Sequence, residues 1–346
     1  MTRPWIVRLC RVKWLGAAMF VLLCVQLATA QPAPVIHIGG YRIEVTLDPA
    51  RHSMDAQSAV TFTAVADAPE ISFHLNPALR VNSVIDAAGI PLHIARDGNS
   101  IHVAPSSPLP AGSSATWTFT YSGVFAPVNA QATRDGIPSL AAIGDPVTYL
   151  LYAAQWFPLV GDGTQRFSAA MQVHIPAGER VFGSGLIAAH PEKNGGSVFS
   201  FAWKQPGFPG TLIAGKFREP FTAGNIHLDL LQNTNGIDGQ KLASTAAQQY
   251  RTLRSQFGPL GEQKSGAAAQ PASTNSSQLD VIELPNNTVP AYAAPGIVAI
   301  ASGQLRTENA SRLLANTMAH QWWGNLVSPQ TRNDAWITNG MCRYAE

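Results

Sequence analysis

Asn316-Thr317-Met318-Ala319-His320-Gln321-Trp322-Trp323-Gly324-Asn325, taken with Trp336-Ile337-Thr338-Asn339-Gly340, is the stretch that decides the fold. Residues four apart on a helix share one face. A helix that builds a catalytic metal site exploits this: two His residues four apart hold the ion, and a Glu beside the first is the general base for the bound water. A third protein ligand comes from another segment, and one coordination position stays open. Here the residue four before His320 is Asn316, followed by Thr317. One imidazole is accompanied by a neutral amide and a hydroxyl. Such oxygens are poor replacements for imidazole and carboxylate on zinc.

Outward from this stretch, the signals change from helical to strand-like. Thr307 is a plausible N-cap for a helix from about Glu308 to Trp322, and a further helix begins near Asp334. Leu279–Leu284 and Gly296–Ala301 read as strands flanking a Pro-rich crossing. Residues 261–278 are rich in Ala, Ser, Gly, Gln and Asn and have too little apolar content to pack, which predicts a mobile surface insertion. Leu242, Ala246, Tyr250, Leu253 and Phe257 recur at helical spacing, so Asp238 to Phe257 reads as an amphipathic helix ended by Gly258-Pro259. Ile226 to Leu231 reads as a strand.

Before Asn225 the period is two. Tyr41, Ile43, Val45 and Leu47 alternate with polar residues. The same holds for Val60, Phe62 and Ala64, for Trp117, Phe119 and Tyr121, and for Phe167, Ala169, Met171, Val173 and Ile175. That alternation buries one face of a sheet and leaves the other wet. Asp48-Pro49, Asp97-Gly98-Asn99, Pro110-Ala111-Gly112 and Pro176-Ala177-Gly178 punctuate the runs, and Lys193-Asn194-Gly195-Gly196 reads as a hairpin turn. The chain of 346 residues, with 29 Gly and 25 Pro, therefore reads as an α+β multidomain protein. An antiparallel β-sandwich-like domain is expected over 36–224, followed by a mixed strand-and-helix domain over 225–346.

The N-terminus has the pattern of an export signal over residues 1–30. Arg3, Arg8, Arg11 and Lys13 precede an apolar run from Leu15 to Leu27, and Ala28-Thr29-Ala30 supplies the small residues of a cleavage site. The run is shorter than the roughly 20 apolar residues of a membrane span. Retention as an anchor is the alternative. An exported, periplasmic or extracellular protein with no membrane span after cleavage follows. Cleavage leaves 19 basic against 21 acidic residues, a balance that gives no reason to expect a nucleic-acid partner. Cys10 and Cys24 leave with the signal, and Cys342 then has no partner for a disulfide.

The block from Ala319 to Asn325 resembles the end of the zinc-binding helix of the gluzincin aminopeptidases, peptidase family M1. That helix reads H-E-x-A-H-Q-W-[FW]-G-N, and the third ligand is a Glu in W-x-x-E-G, eighteen residues past the second His. Trp336 to Gly340 keeps that register. The resemblance implies that Asn316 stands at the first His position, Thr317 at the general base and Asn339 at the third-ligand Glu. Only His320 survives among the ligands. The family's G-A-M-E-N segment, whose Glu holds the substrate's amino terminus, corresponds to Pro290-Ala291-Tyr292-Ala293-Ala294, with Ala293 in place of the Glu. An ammonium group facing that methyl would lose a charge-assisted hydrogen bond worth roughly 1.5–3 kcal/mol. The Tyr that stabilises the family's tetrahedral intermediate lies farther along than Tyr344.

The resemblance thus implies a thermolysin-like second domain of which the first part is present. It also implies a catalytically inactive pseudopeptidase that holds no zinc and acts, if at all, by binding peptides or a secreted or periplasmic protein. Two alternatives stand beside it: a zinc-dependent aminopeptidase with an altered site, and a fragment of a longer family member. Trp322, Trp323 and Trp336 are expected in the core, and Asn316 and Asn339 are expected to hydrogen-bond each other across the two helices.

Overall fold

The computed structural model describes residues 35–128, 138–161, 163–193, 195–260, 278–329 and 334–346. The signal segment and nearly all of the predicted insertion, 261–277, lie outside these residues. Val35–Glu346 forms one compact unit.

Period-two patterning builds the largest sheet. Among the described residues it has seven strands, in the order Leu186–Pro191, Gly196–Gly207, Phe167–Pro176, Ile36–Asp48, Ser53–Ala64, Ser114–Val124 and Leu79–Ile85. Every pairing is antiparallel except that of Ile36–Asp48 with Phe167–Pro176, which is parallel. Each apolar residue predicted to face inward along these strands is buried. Opposite lies a four-stranded sheet, Leu159–Val160, Ile71–His74, Ser100–Ala104 and His93–Asp97. The two inner faces meet through aromatic rings. Phe73 lies 4.8 Å from Phe119 and 6.0 Å from Trp117, centroid to centroid, and Phe62 packs edge-on against Trp117 at 4.9 Å. Edge and tilted contacts of this kind are the preferred aromatic geometries.

A second four-stranded sheet, Arg180–Gly183, Leu212–Gly215, Val147–Leu150 and Ala141–Ala142, has apolar residues on both faces. Leu150, Val181, Leu212 and Ala214 join the core of the sandwich. Val147, Tyr149, Phe182 and Ile213 join a different core with Ile282, Leu284, Ile297 and Ala299. This sheet is therefore a middle layer, and its strands read as continuous apolar runs because neither face meets water.

The strands after residue 220 form a five-stranded mixed sheet, in the order Phe221–Ala223, Ile226–Asp229, Leu279–Leu284, Ile297–Ala301 and Ala291–Ala294. The two central pairings are parallel and the two outer ones antiparallel. One face packs on the middle layer. The other, through Ile226, Leu228, Leu279, Val281, Val298 and Ile300, receives the helices.

Helix α1, Gly239–Phe257, has the predicted bounds. The Asp238 carboxylate caps it by accepting from the Lys241 amide at 3.0 Å, and Gly258 ends it at φ +87°. Helix α2, Ala310–Ala319, is shorter than predicted at both ends. Thr307 does not cap it, because its hydroxyl donates to Gln304 O at 2.9 Å instead. At the other end the chain leaves the helix after His320, and the side chain of Gln321 turns into the sheet. Helix α3, Ala335–Tyr344, starts where expected but buries only Cys342, whose thiol pKa burial pushes up to about 12. The expectation that Trp336 is core is wrong: its side chain is 71% exposed, while Trp322 is 2% exposed and Trp323 packs part-buried against the helix core. Trp322 lies against Tyr250 and Phe257 of α1.

Among the described residues, no helix is long and apolar enough to cross a membrane.

Candidate functional site

Helix α2 presents Arg312, Asn316 and His320 along one stripe, since each is four residues from the next. Their side chains are committed in different ways. His320 lies at the helix C-terminus, and its Nδ1 is 3.0 Å from Trp323 O. A carbonyl accepts only, so Nδ1 carries the proton and Nε2 carries the lone pair. Burial pulls the ring's pKa below its usual value, which favours the neutral form. A neutral imidazole with one available nitrogen is one metal ligand.

The neighbouring positions supply no second. Thr317 is buried, and its hydroxyl donates to Leu313 O at 2.6 Å, one turn back on the same helix. It is neither an acid nor aimed at His320. The Asn316 amide donates to Glu346 Oε1 at 3.0 Å. The expected bond between Asn316 and Asn339 is not made: Asn316 is taken by a carboxylate, and Asn339 is exposed on α3. A bond to an ionised acceptor is stronger than one between two neutral amides. Glu346 is in turn held by Arg312 Nη2 at 2.8 Å and Arg343 Nη1 at 3.1 Å. Its side chain is 11% exposed. No sequence signal singled out Glu346, Arg312 or Arg343, because their meeting depends on how α2 and α3 pack.

The segment at the amino-anchor position is the edge strand Ala291–Ala294, with Ala293 opposite Val298 in the register. Tyr292 reaches across to the middle layer: its hydroxyl accepts from the Ala153 amide at 3.4 Å, and burial raises its pKa. Pro295 O accepts from the buried Ser184 hydroxyl at 2.8 Å. The turn between this strand and its neighbour is gripped by Gln321, which was not predicted as important. Its Oε1 accepts from Gly296 N at 3.0 Å, and its Nε2 donates to Ala294 O at 2.9 Å and Ile297 O at 3.0 Å. One side chain, 3% exposed, thus satisfies three backbone groups and ties the end of α2 to the edge strand. Arg166 makes a similar link by donating to Leu326 O at 3.0 Å and Asn325 O at 2.8 Å.

The donor set does not fit zinc. A catalytic zinc needs three protein ligands of imidazole, thiolate or carboxylate type. At the positions in register, one imidazole is accompanied by a primary amide bound to a carboxylate, a hydroxyl bound within its own helix and an exposed amide. Among the described residues, no group of three or more His, Cys, Asp or Glu is disposed to hold a metal ion.

No protein-family profile matches the chain. Among curated proteins, Endoplasmic reticulum aminopeptidase 2 of Homo sapiens is 34% identical over 80 residues, 20% of this chain and 8% of that protein. The Bos taurus protein of the same name is 44% identical over 36 residues, 10% of this chain and 4% of that one. The match thus spans less than a tenth of either curated relative. Solved structures align far more widely. The M1 zinc metallopeptidase of Deinococcus radiodurans superposes with a TM-score of 0.66 at 19% identity, over 90% of this chain and 69% of that chain. A variant of it bound to a Tyr-Ser-Ala substrate gives 0.66 at 19% identity, over 91% and 71%. The chain has the fold of the M1 zinc metallopeptidases, as the two motif blocks implied. A short part of its sequence is also similar to aminopeptidases of that family.

Proposed function

We propose that this chain is a catalytically inactive, aminopeptidase-like protein of the M1 family that holds no zinc and works by binding. One observation carries the reading. The positions in register with the metal ligands and the general base hold Asn316, Thr317 and Asn339, and the side chains of the first two are already committed to protein partners. Peptide hydrolysis by this class of enzyme needs an activated water, and the position in register with the general base holds the uncharged hydroxyl of Thr317.

The occupant we propose is an extended peptide or a segment of an exported protein. It would lie along Ala291–Ala294, whose place at the sheet edge leaves main-chain groups able to pair with another strand. Without a carboxylate at Ala293 there is no anchor for a free amino terminus, so internal segments bind as well as N-terminal ones. We further propose cleavage of residues 1–30, export to the periplasm or beyond, and a domain boundary near 224.

The zinc-aminopeptidase alternative draws support from the fold neighbours, which are zinc enzymes, and from the neutral imidazole of His320. Hydrolysis of aminoacyl arylamides, with zinc supplied, separates the two. The inactive reading predicts rates at the uncatalysed background, unchanged by chelator. Hydrolysis that a chelator abolishes would establish the alternative.

A further inference from the structure

We infer that Glu346 is an ionic clamp that joins α2 to α3 and does, without a metal, the mechanical work that a shared ion does when two helices both ligate it. This inference rests on the metal-free reading above.

The geometry is specific. One carboxylate receives three donors from two helices: Asn316 Nδ2 at 3.0 Å and Arg343 Nη1 at 3.1 Å on Oε1, and Arg312 Nη2 at 2.8 Å on Oε2. Arg312 and Asn316 lie about one turn apart on α2, so the carboxylate bridges donors from successive turns of that helix. Arg343 comes from the last turn of α3 and fixes the carboxylate from its own side. The Glu346 side chain is 11% exposed, whereas those of Arg312 and Arg343 are 59% and 73% exposed. The carboxylate is thus sheltered by its partners, and the cations reach water.

α3 needs such a tie. Its one buried residue is Cys342, and Trp336, Ile337 and Tyr344 are exposed at 71%, 44% and 79%. A ten-residue helix has little stability of its own. With so few apolar contacts, the hold of α2 on α3 comes largely from the Glu346 cluster.

Amide hydrogen exchange on the full chain tests this. Glu346→Gln keeps the side-chain volume and an acceptor for Asn316 but removes the charge. The expected result is exchange across 335–344 faster by roughly tenfold or more, with protection of 36–64 unchanged and no effect of chelator on either segment. Arg312→Ala, on the exposed side of α2, gives a smaller change in the same direction and serves if the first variant is poorly recovered. Unchanged exchange of 335–344 in both variants would overturn the clamp and leave the metal-free reading standing. Loss of protection in the unmodified chain on adding chelator, restored by zinc, would overturn both.

Discussion

The sandwich and the last helix of this molecule, α3, bury their side chains to very different degrees. In the sandwich, each predicted inward residue of the long strands is covered, and Trp117, Trp156, Phe73 and Phe119 are each no more than 2% exposed. In α3, only Cys342 is covered, and the largest side chain, Trp336, faces water. The sandwich is held by apolar area, which is non-directional and tolerant of small shifts. α1 and α2 pack on the five-stranded sheet through an apolar core of their own, whereas α3 meets α2 through directional polar contacts centred on Glu346.

The comparison is broken or sharpened first by tryptophan truncation. Trp156 is fully buried and donates its indole N–H to Gly210 O at 2.6 Å. Trp156→Ala is expected to cost about 3–5 kcal/mol in chemical denaturation, from the cavity and the orphaned carbonyl. At the other extreme, Trp336→Ala is expected to change stability by less than about 0.5 kcal/mol, as for other exposed positions. Equal effects at the two sites would erase the contrast.

Between these extremes lies a pH effect at the junction of the middle layer with the five-stranded sheet. Asp229 is fully buried there, paired with Arg180 at 2.5 Å. Its pKa is raised to about 6, chiefly by burial, against the pull of Arg180 and with a further push from Asp280 and Glu219. A carboxyl whose pKa is higher folded than unfolded binds more protons in the native state over that interval. Its contribution is therefore fully present below about pH 4 and is lost as pH rises through about 6. Asp280 is shifted in the same direction, also mainly by burial. The loss at Asp229 amounts to at most about 3 kcal/mol. Asp229→Asn is expected to flatten this part of the stability profile, so that the melting temperature of the variant relative to the parent rises between pH 4 and 7. A parallel pair of profiles would show that Asp229 does not titrate there.

Much of this was legible from the residues. The inward positions of the long strands follow from alternation, and the extent of α1 follows from its helical spacing and the Gly258-Pro259 stop. The motif blocks around His320 and Asn339 led to the right fold. What was not legible has physical causes. The strands Val147–Leu150 and Leu212–Gly215 are buried on both faces, so they lack the period that would mark them as a separate layer. α2 stops short of the expected Trp322 because Gln321 turns into the sheet and Trp322 packs on α1. Trp336 was assigned to the core on size alone, which says nothing about whether a layer lies opposite. The Glu346 cluster joins residues from two helices, and no spacing along the chain announces it.

The most direct test of the central claim is the zinc content of the purified chain, measured after equilibration with excess zinc and removal of the unbound ion. A lone neutral imidazole predicts far less than one zinc per chain. One tightly held zinc per chain that is lost in His320→Ala would contradict the account.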